Sequence, residues 1–171
     1  VARNLEPIYG IETALRAFAV VVAQRPDALL SVAGSGPQRA ELEALAAALG
    51  VAGRARFTGR LDRNQMAALY RDADLTLNPS RADNMPVSVL ESMACGVPVV
   101  TTDVGGIPHL VRHEHTALLV PPDAPQAMAD AALRVLGDAR LAVSLRRAGL
   151  EEVRRYSWPS VRNTLLAAYE D

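Results

Sequence analysis

The chain has 171 residues, of which 50% are hydrophobic and 22% charged, so it has room for one folded domain and is not disordered along its whole length. Its 18 lysines and arginines stand against 19 aspartates and glutamates, and the net charge of -1 offers no general attraction for nucleic acid or anionic membranes. One cysteine excludes an internal disulfide, and no apolar run approaches the ~20 residues of a membrane span.

Short apolar runs alternate with amphipathic segments along the chain. The spacing predicts a helix over 9–25, a strand over 28–33, a helix over 37–49, a strand over 55–58, a helix over 63–72, a strand over 75–77, a helix over 86–94, strands over 97–101 and 117–120, and helices over 123–136, 139–154 and 159–169. Asp123 is the expected N-cap of the first of these last three helices. The alternation predicts an α/β fold with a parallel sheet covered by helices on both faces.

The chain opens within what reads as a strand, and Val1-Ala2-Arg3-Asn4 shows no apolar segment of a signal peptide. We therefore expect a piece of a longer protein. Ligands of open α/β sheets bind beyond the carboxyl ends of the strands, so the loops that follow strands are the places to search.

One such loop, Gly34-Ser35-Gly36-Pro37, contains two glycines of a dinucleotide fingerprint. Arg39 stands where the fingerprint needs a third Gly or Ala, and the acidic residue expected about 20 positions later is absent. We interpret this segment as a tight turn between a strand and a helix.

The segment 79–100 contains the strongest candidates for ligand-binding residues. Asp83 precedes a predicted helix, and Glu91 lies about two turns further along. Backbone N–H groups at the helix start can hold a phosphate, and a carboxylate such as Glu91 can accept hydrogen bonds from two sugar hydroxyls. The alternatives stay open at this point: Asp83 as an N-cap only, and Glu91 as a surface charge only.

This segment resembles the signature of the family-4 (group 1) retaining glycosyltransferases, which have the GT-B fold. The signature is two carboxylates separated by seven residues, Asp83 and Glu91, followed by Met93-Ala94-Cys95-Gly96-Val97-Pro98-Val99-Val100. The resemblance continues over nearly the whole chain, through Arg3, Gly34-Ser35-Gly36-Pro37, Phe57-Thr58-Gly59, Tyr70-Arg71-Asp72-Ala73-Asp74, Gly105-Gly106-Ile107-Pro108 and Tyr156-Ser157-Trp158.

The resemblance implies that residues 1–171 form a single nucleotide-sugar-binding domain, the C-terminal half of a GT-B fold, without its N-terminal acceptor domain. This half is a Rossmann-like three-layer α/β/α sandwich with a parallel sheet of about six strands. The implied reaction moves a sugar from a nucleoside-diphosphate sugar to a saccharide, lipid or small-molecule acceptor, with retention of configuration and without a metal or other cofactor. We expect the isolated fragment to be inactive.

The resemblance also assigns roles to residues. Asp83 would touch the donor sugar, Arg3 would neutralise the diphosphate, and Glu91 would bind the ribose. The helix start would lie over the sugar and diphosphate, and the loop after the second strand would border the base; these positions are Asn84, Met85, Pro86 and Val87, and Gly59, Arg60 and Leu61.

Three positions depart from the family pattern. Asp83 stands in place of the usual Glu, His109 stands where the family often has Glu, and Tyr9 stands where the family usually has Lys, so a second diphosphate cation is missing at that last position. Tyr9 can still donate one hydrogen bond. Arg81, on the facing loop, is a candidate replacement for the missing charge.

Other functions remain as alternatives. A non-catalytic nucleotide-binding or interaction module would fit the altered positions, and a GT-B nucleotide-sugar epimerase would share the fold. His113-Glu114-His115 would need a third ligand to hold a metal, so no metal is expected. We expect the chain to bind a nucleotide-sugar donor and not nucleic acid, and we expect no membrane contact from this half. We expect a cytoplasmic location, with any peripheral contact at the inner face of the membrane made by the missing half. The sequence leaves open the nucleotide base, the donor sugar, the acceptor and the oligomeric state.

Overall fold

The structure is a computed structural model that describes residues 1–167. Its helices are α1 (Ile11–Gln24), α2 (Arg39–Ala48), α3 (Arg63–Asp72), α4 (Val87–Ala94), α5 (Ile107–Leu110), α6 (Pro125–Gly137), α7 (Ala139–Val153) and α8 (Trp158–Ala167). Its strands are β1 (Leu30–Ala33), β2 (Ala55–Gly59), β3 (Thr76–Asn78), β4 (Val99–Thr102) and β5 (Leu118–Val120). Short 3-10 turns cover Pro7–Tyr9 and Arg154–Tyr156.

Every helix and strand predicted between residues 9 and 154 is present, with ends that differ by no more than two residues. The four-residue helix α5 was not predicted. The last predicted helix is present as α8, and its expected end at residue 169 lies outside the described residues.

Capping side chains explain where two helices begin. At the start of α3, Asp62 accepts a hydrogen bond from the amide of Gln65, and the Gln65 side chain accepts one from the amide of Asp62. At the start of α7, Asp138 accepts hydrogen bonds from the amides of Arg140 and Leu141. Both helices therefore begin with N–H groups that have partners.

The predicted cap of α6 was wrong. This helix begins at Pro125, its N-cap is Ala124, and no side chain caps it. Asp123 has a φ of 52° and accepts a hydrogen bond from Arg81 Nε at 2.8 Å. Because a charged guanidinium is a stronger donor than a backbone amide, the tertiary contact takes this carboxylate away from the helix start.

All named strand pairs are parallel. β1 pairs with β2, and β4 lies between β3 and β5, where Val100 stands opposite both Leu77 and Leu118. An isolated parallel bridge joins Ala2 to Ala33, at the end of β1. Five strands are thus described beside this bridge, where about six were predicted.

Two hydrophobic clusters cover the strands. The larger one includes Leu5, Ile11, Leu15, Val32, Leu42, Leu118, Met128 and Leu145. The smaller one joins α4, β4 and α5 and includes Val89, Met93, Val99 and Ile107. All four residues of β4 are buried, as expected for a parallel strand that is covered on both faces. The predicted α/β class is confirmed.

Candidate functional site

Two loops meet beyond the carboxyl ends of the strands, and we call them the Arg3 loop (residues 3–10) and the Asp83 loop (residues 79–86). Gly10 has a φ of 56° and lies so close to Pro79 that a Cβ would overlap the Pro79 carbonyl oxygen. Only glycine meets both requirements at this position, the left-handed backbone and the close approach. The glycine therefore brings the two loops together.

A buried polar network fixes the base of the Asp83 loop. Asn78 Nδ2 donates to Thr101 Oγ1, and Ser80 Oγ donates to Asn78 Oδ1, both at 3.0 Å. Thr102 Oγ1 donates to the Ser80 carbonyl at 2.6 Å. All four residues are buried, so these bonds form in a low dielectric and set the direction in which the loop leaves β3.

A pair of glycines supports the Asp83 loop from the side of β4 and α5. A Cβ on Gly105 would overlap the Asp83 carbonyl oxygen, and a Cβ on Gly106 would overlap that of Asn84. The amide of Gly106 donates to the Asp83 carbonyl at 2.9 Å. The two glycines therefore let the loop backbone approach closely and hold Asp83 in place.

The carboxylate of Asp83 points at Arg3. Oδ2 of Asp83 forms an ion pair with Nη2 of Arg3, and the two side chains are only 11% and 13% exposed. Oδ1 of Asp83 accepts a hydrogen bond from the amide of Met85 at 3.2 Å. The structure thus brings together the two residues for which the resemblance implied catalytic roles.

Two further side chains hold the guanidinium of Arg3. Its carbon lies 4.2 Å from the ring centroid of Tyr9, a cation–π contact, and Nη1 donates to Ser88 Oγ at 3.5 Å. Arg3 Nε is buried and has no hydrogen-bond partner among residues 1–167. The arginine is therefore held by three side chains, while its Nε–H donor has no partner there.

The turn after β1 supports the Arg3 loop. A Cβ on Gly34 would overlap the Arg3 carbonyl oxygen, and a Cβ on Gly36 would overlap that of Leu5. The amide of Leu5 donates to the Ser35 carbonyl at 3.0 Å. The glycines of this turn thus serve a close backbone approach, which agrees with the interpretation as a tight turn.

Glu91 lies on α4, three residues after Ser88, whose hydroxyl accepts a hydrogen bond from Arg3. The hydroxyl of Tyr70 donates to Glu91 Oε2 at 3.2 Å and approaches the Ser88 carbonyl at 3.3 Å. Burial, and then the charge of Glu91, raise the pKa of Tyr70, so the phenol stays protonated and remains a donor. Glu91 itself is exposed, with its other oxygen open to a ligand.

The start of α4 forms an apolar rim beside this pair. Met85 and Val87 are 52% and 60% exposed, and Asn84 is exposed as well. Pro86 is buried and is the N-cap of α4, so the helix begins at Val87, one residue after its predicted start. The rim therefore presents two apolar side chains that a ligand could cover.

The loop that follows β2 adjoins the turn after β1. Gly59 has a φ of 73° and accepts a hydrogen bond from the Gly34 amide at 2.9 Å. Arg60 is exposed and Leu61 half-buried. Through this turn the loop is linked to the Arg3 loop, and its place beside the nucleotide base stays a prediction.

Arg81 does not fit the role of a replacement cation. Its Nη2 forms an ion pair with Glu12, and its Nε donates to Asp123 Oδ1 at 2.8 Å. Its Nη1 donates to the Pro7 carbonyl at 2.5 Å. The guanidinium is thus committed to two carboxylates and a carbonyl, and it acts as a tie between the two loops.

Sequence reasoning missed Ser88 and Tyr70. Ser88 contacts Arg3 through its hydroxyl and Tyr70 through its carbonyl, so it links the two halves of the site. The sequence held one signal for Ser88: it lies in the first turn of a helix whose start was predicted to bind a phosphate. Tyr70 enters the sequence analysis only as part of the family resemblance, and nothing in its local sequence indicates that its hydroxyl reaches Glu91.

The structure shows no metal site within the described range: residues 1–167 contain no group of three or more His, Cys, Asp or Glu side chains able to hold an ion. Across the same residues, none of the helices is both long and apolar enough to cross a membrane.

Comparisons with known proteins agree with this architecture. The family model of the glycosyl transferases group 1 matches residues 1–152. A D-inositol 3-phosphate glycosyltransferase from Jonesia denitrificans is 34% identical over 176 residues, which are 99% of this chain and 42% of that protein.

Solved structures share the fold. A sucrose-phosphate synthase from Thermosynechococcus elongatus is 33% identical with a TM-score of 0.88, and the match covers 98% of this chain and 43% of the other. Anabaena Alr3699/HepE, in complex with UDP and glucose, is 21% identical with a TM-score of 0.91, over 99% of this chain and 47% of the other.

A parallel α/β sheet with a charged site beyond the carboxyl ends of its strands defines the class of ligand-binding α/β proteins. Within that class, the chain belongs to the glycosyl transferases group 1 family and has the fold of GT-B glycosyltransferases. The resemblance identified from the sequence is confirmed. The chain spans about two fifths of the length of the curated relative, 42%.

Proposed function

We propose that this chain is the donor-binding, C-terminal half of a hexosyltransferase that moves a sugar from a nucleoside diphosphate to a saccharide, lipid or small-molecule acceptor. An N-terminal domain would bind the acceptor and close the active site. The observation that carries the proposal is the ion pair of Arg3 with Asp83, which Ser88 and Tyr70 connect to Glu91. A cation for the diphosphate and carboxylates for sugar hydroxyls are the groups that such a donor needs.

Relatives support the donor class. The curated relative is named a D-inositol 3-phosphate glycosyltransferase, and the Anabaena protein of the same fold holds UDP and glucose, or UDP-glucose, in its structures. A uridine nucleotide is therefore the first donor to test on this chain. The acceptor named for the relative is a proposal for testing with the longer protein.

Donor binding requires an exchange of partners at the ion pair. Without a donor, Asp83 neutralises Arg3, and an incoming diphosphate would compete with this carboxylate for the guanidinium. Arg3 Nε is buried and has no hydrogen-bond partner in residues 1–167, so a turn of the guanidinium towards a phosphate oxygen would break no bond at this atom. As Arg3 turns to the phosphate, Asp83 would accept hydrogen bonds from the sugar.

The same exchange would assist the reaction. Negative charge builds on the diphosphate as the glycosyl–phosphate bond breaks, and a preorganised cation there stabilises the transition state. Tyr9 keeps the guanidinium in place but adds no charge, so Arg3 would be the principal cation for the leaving group. We further propose that no metal takes part and that the anomeric configuration is retained.

Glu91 would bind the ribose, with Tyr70 holding one carboxylate oxygen and leaving the other for a hydroxyl pair.

Thermal melting of the chain with UDP, GDP, ADP and their sugar conjugates tests the site, because a ligand at 100 times its dissociation constant stabilises the folded chain by about 2.7 kcal/mol. We expect one nucleoside diphosphate to raise the melting temperature and NAD to have no effect.

The variant Glu91→Ala separates a nucleotide site from an interaction role. We expect it to abolish the nucleotide-dependent shift, whereas Glu151→Ala, an equally exposed glutamate on α7, leaves the shift unchanged. An unaltered shift in Glu91→Ala would remove the ribose assignment. Anomer analysis of the product of the longer protein tests retention.

A second candidate function is a non-catalytic nucleotide-binding module. One observation favours it: Arg3 and Arg81 are both already paired with carboxylates, and Tyr9 supplies no charge. Such a module would bind the nucleotide, yet the longer protein would transfer no sugar from any donor to any acceptor. A transfer product from the longer protein excludes this candidate.

A further inference from the structure

A short 3-10 turn, Pro7–Tyr9, carries the tyrosine whose ring contacts Arg3. The turn has no buried residue, and its own hydrogen bonds are local: the amides of Tyr9 and Gly10 donate to carbonyls three residues earlier, at 3.0 and 3.2 Å. Such turns have poorer hydrogen-bond geometry than an α-helix, and a segment with few buried contacts is easily displaced. The position of Tyr9 therefore depends on contacts from outside the turn.

Arg81 holds this turn through both its backbone and its side chain. Its amide donates to the Ile8 carbonyl at 2.8 Å, and its Nη1 donates to the Pro7 carbonyl at 2.5 Å. These are the carbonyls of the two residues directly before Tyr9. One residue of the Asp83 loop thus contacts the turn at two successive residues, and these two points define the direction in which the chain enters Tyr9.

Two carboxylates in turn hold the guanidinium of Arg81. Its Nη2 forms an ion pair with Glu12 on α1, and its Nε donates at 2.8 Å to Asp123 Oδ1, just before α6. Thr13 Oγ1 donates to the same Asp123 oxygen at 3.5 Å. Because a planar guanidinium points its donors in fixed directions, these acceptors determine where Nη1 lies. The contact with the Pro7 carbonyl therefore takes its position from α1 and the start of α6.

The ring of Tyr9 depends on this arrangement. A tyrosine side chain has two torsion angles, so the position of its backbone largely decides where the ring lies. The ring centroid is 4.2 Å from the guanidinium carbon of Arg3, and a cation–π attraction requires a separation within about 6 Å. A shift of the turn by about 2 Å away from Arg3 would thus end the contact.

We propose that Arg81 is a positioning residue, which holds the turn Pro7–Tyr9 so that the ring of Tyr9 stays on Arg3. Its own charge is already matched by Glu12 and Asp123, so its effect on a ligand passes through Tyr9 and not through direct contact. The consequence for diphosphate binding rests on the proposed function. The arrangement itself can be measured without a nucleotide, which keeps the two hypotheses separable.

The side-chain Nε–H signal of Arg3, in an NMR spectrum of the 171-residue chain, reports the position of the ring. Arg3 Nε is buried, so its proton is sheltered from exchange with water. A proton above an aromatic ring is shifted upfield by the ring current, and Tyr9→Ala gives the position of the signal without the ring. The absence of the signal in Arg3→Lys identifies it.

The test variant combines Arg81→Met with Glu12→Gln, which removes the ion pair and leaves the net charge unchanged. The matched control combines Arg134→Met with Glu114→Gln, which removes an exposed ion pair between α6 and the loop before β5. Both double variants lose one arginine and one glutamate. A difference between them therefore reports the place of the ion pair and not its charge.

We expect the Arg3 signal of the test variant to move at least halfway to its position in Tyr9→Ala, and that of the control to stay at the parent position. Arg81→Lys, which keeps a cation but lacks the planar fork, should move the signal in the same direction. This single variant replaces the double one if the double variant does not fold. An Arg3 signal at the parent position in a folded Arg81 variant overturns the proposal.

Calorimetric titration with UDP tests the consequence for the donor site. We expect the test variant to bind UDP roughly 3- to 30-fold more weakly than the parent chain, which is the loss expected for the Tyr9 contact. In a Tyr9→Ala background, the same two substitutions should weaken binding by less than about twofold further. Equal losses in both backgrounds would show that Arg81 acts on the ligand without Tyr9, which overturns the proposal. If the parent chain binds no UDP, the donor assignment fails, and the Arg3 signal alone decides the role of Arg81.

Discussion

Arg3 and Asp83 are 80 residues apart in the chain, and their side chains form a nearly buried ion pair beyond the carboxyl ends of the parallel strands. Each comes from a loop whose position is determined by close glycine contacts. The pair is a direct side-chain contact between the two loops, and it allows predictions for the residues that form it.

Replacing the carboxylate should separate nucleotide binding from sugar recognition. In Asp83→Asn, Arg3 loses its competing negative charge, so we expect UDP to bind as tightly as before or several-fold more tightly. The preference for UDP-glucose over UDP should disappear, because the neutral amide is a poorer acceptor for sugar hydroxyls. Calorimetric titration with both ligands measures the two affinities.

Asp83→Glu is the matched control, since it keeps the charge and restores the residue that the family usually carries. A variant Asp83→Asn that still prefers UDP-glucose to UDP would show that this carboxylate does not contact the sugar. The longer protein should lose at least 100-fold in transfer rate with Asn and less with Glu, if the contact strengthens in the transition state.

Tyr9 should act through its ring rather than its hydroxyl. The ring lies 4.2 Å from the guanidinium carbon of Arg3, and such a contact contributes about 0.5–2 kcal/mol. We therefore expect Tyr9→Phe to bind nucleoside diphosphate nearly as well as the parent chain and Tyr9→Ala to bind it roughly 3- to 30-fold more weakly. If Phe weakens binding as much as Ala, the hydroxyl contacts the ligand directly.

The glycine pair beneath the Asp83 loop should be intolerant of a methyl group. A Cβ at Gly106 would overlap the Asn84 carbonyl oxygen, so Gly106→Ala should displace the loop and lower the free energy of unfolding by about 1–3 kcal/mol. Nucleotide binding should weaken together with stability. Urea denaturation and thermal shift measure the two effects.

Gly53→Ala is the control for that substitution, because a Cβ there would meet no heavy atom within 4 Å and its φ is not in the left-handed range. It should leave stability within about 0.5 kcal/mol and binding unchanged. Equal effects from both glycines would contradict the close-contact explanation.

Local patterns predicted most of the fold. The 3.6-residue spacing of apolar side chains located α3 at its observed bounds, and short apolar runs located all five strands. These elements could be predicted from the sequence because a helix or strand depends on residues only a few positions away. The cap of α6 failed for the opposite reason: Asp123 pairs with Arg81, 42 residues distant, and no local pattern records that contact.

For the candidate site, the spacing of Asp83 and Glu91 with the Gly-x-Pro motif after them identified the family from sequence alone, and the comparisons confirm it. The sequence by itself thus determined the α/β class, the order of the elements and the family. Tertiary structure alone decided that Arg3 meets Asp83, that Tyr70 and Ser88 join Glu91 to that pair, and that Arg81 is already committed to carboxylates. The physical reason is that these contacts join parts of the chain far apart in sequence, whose meeting depends on the packing of the whole sheet and its helices.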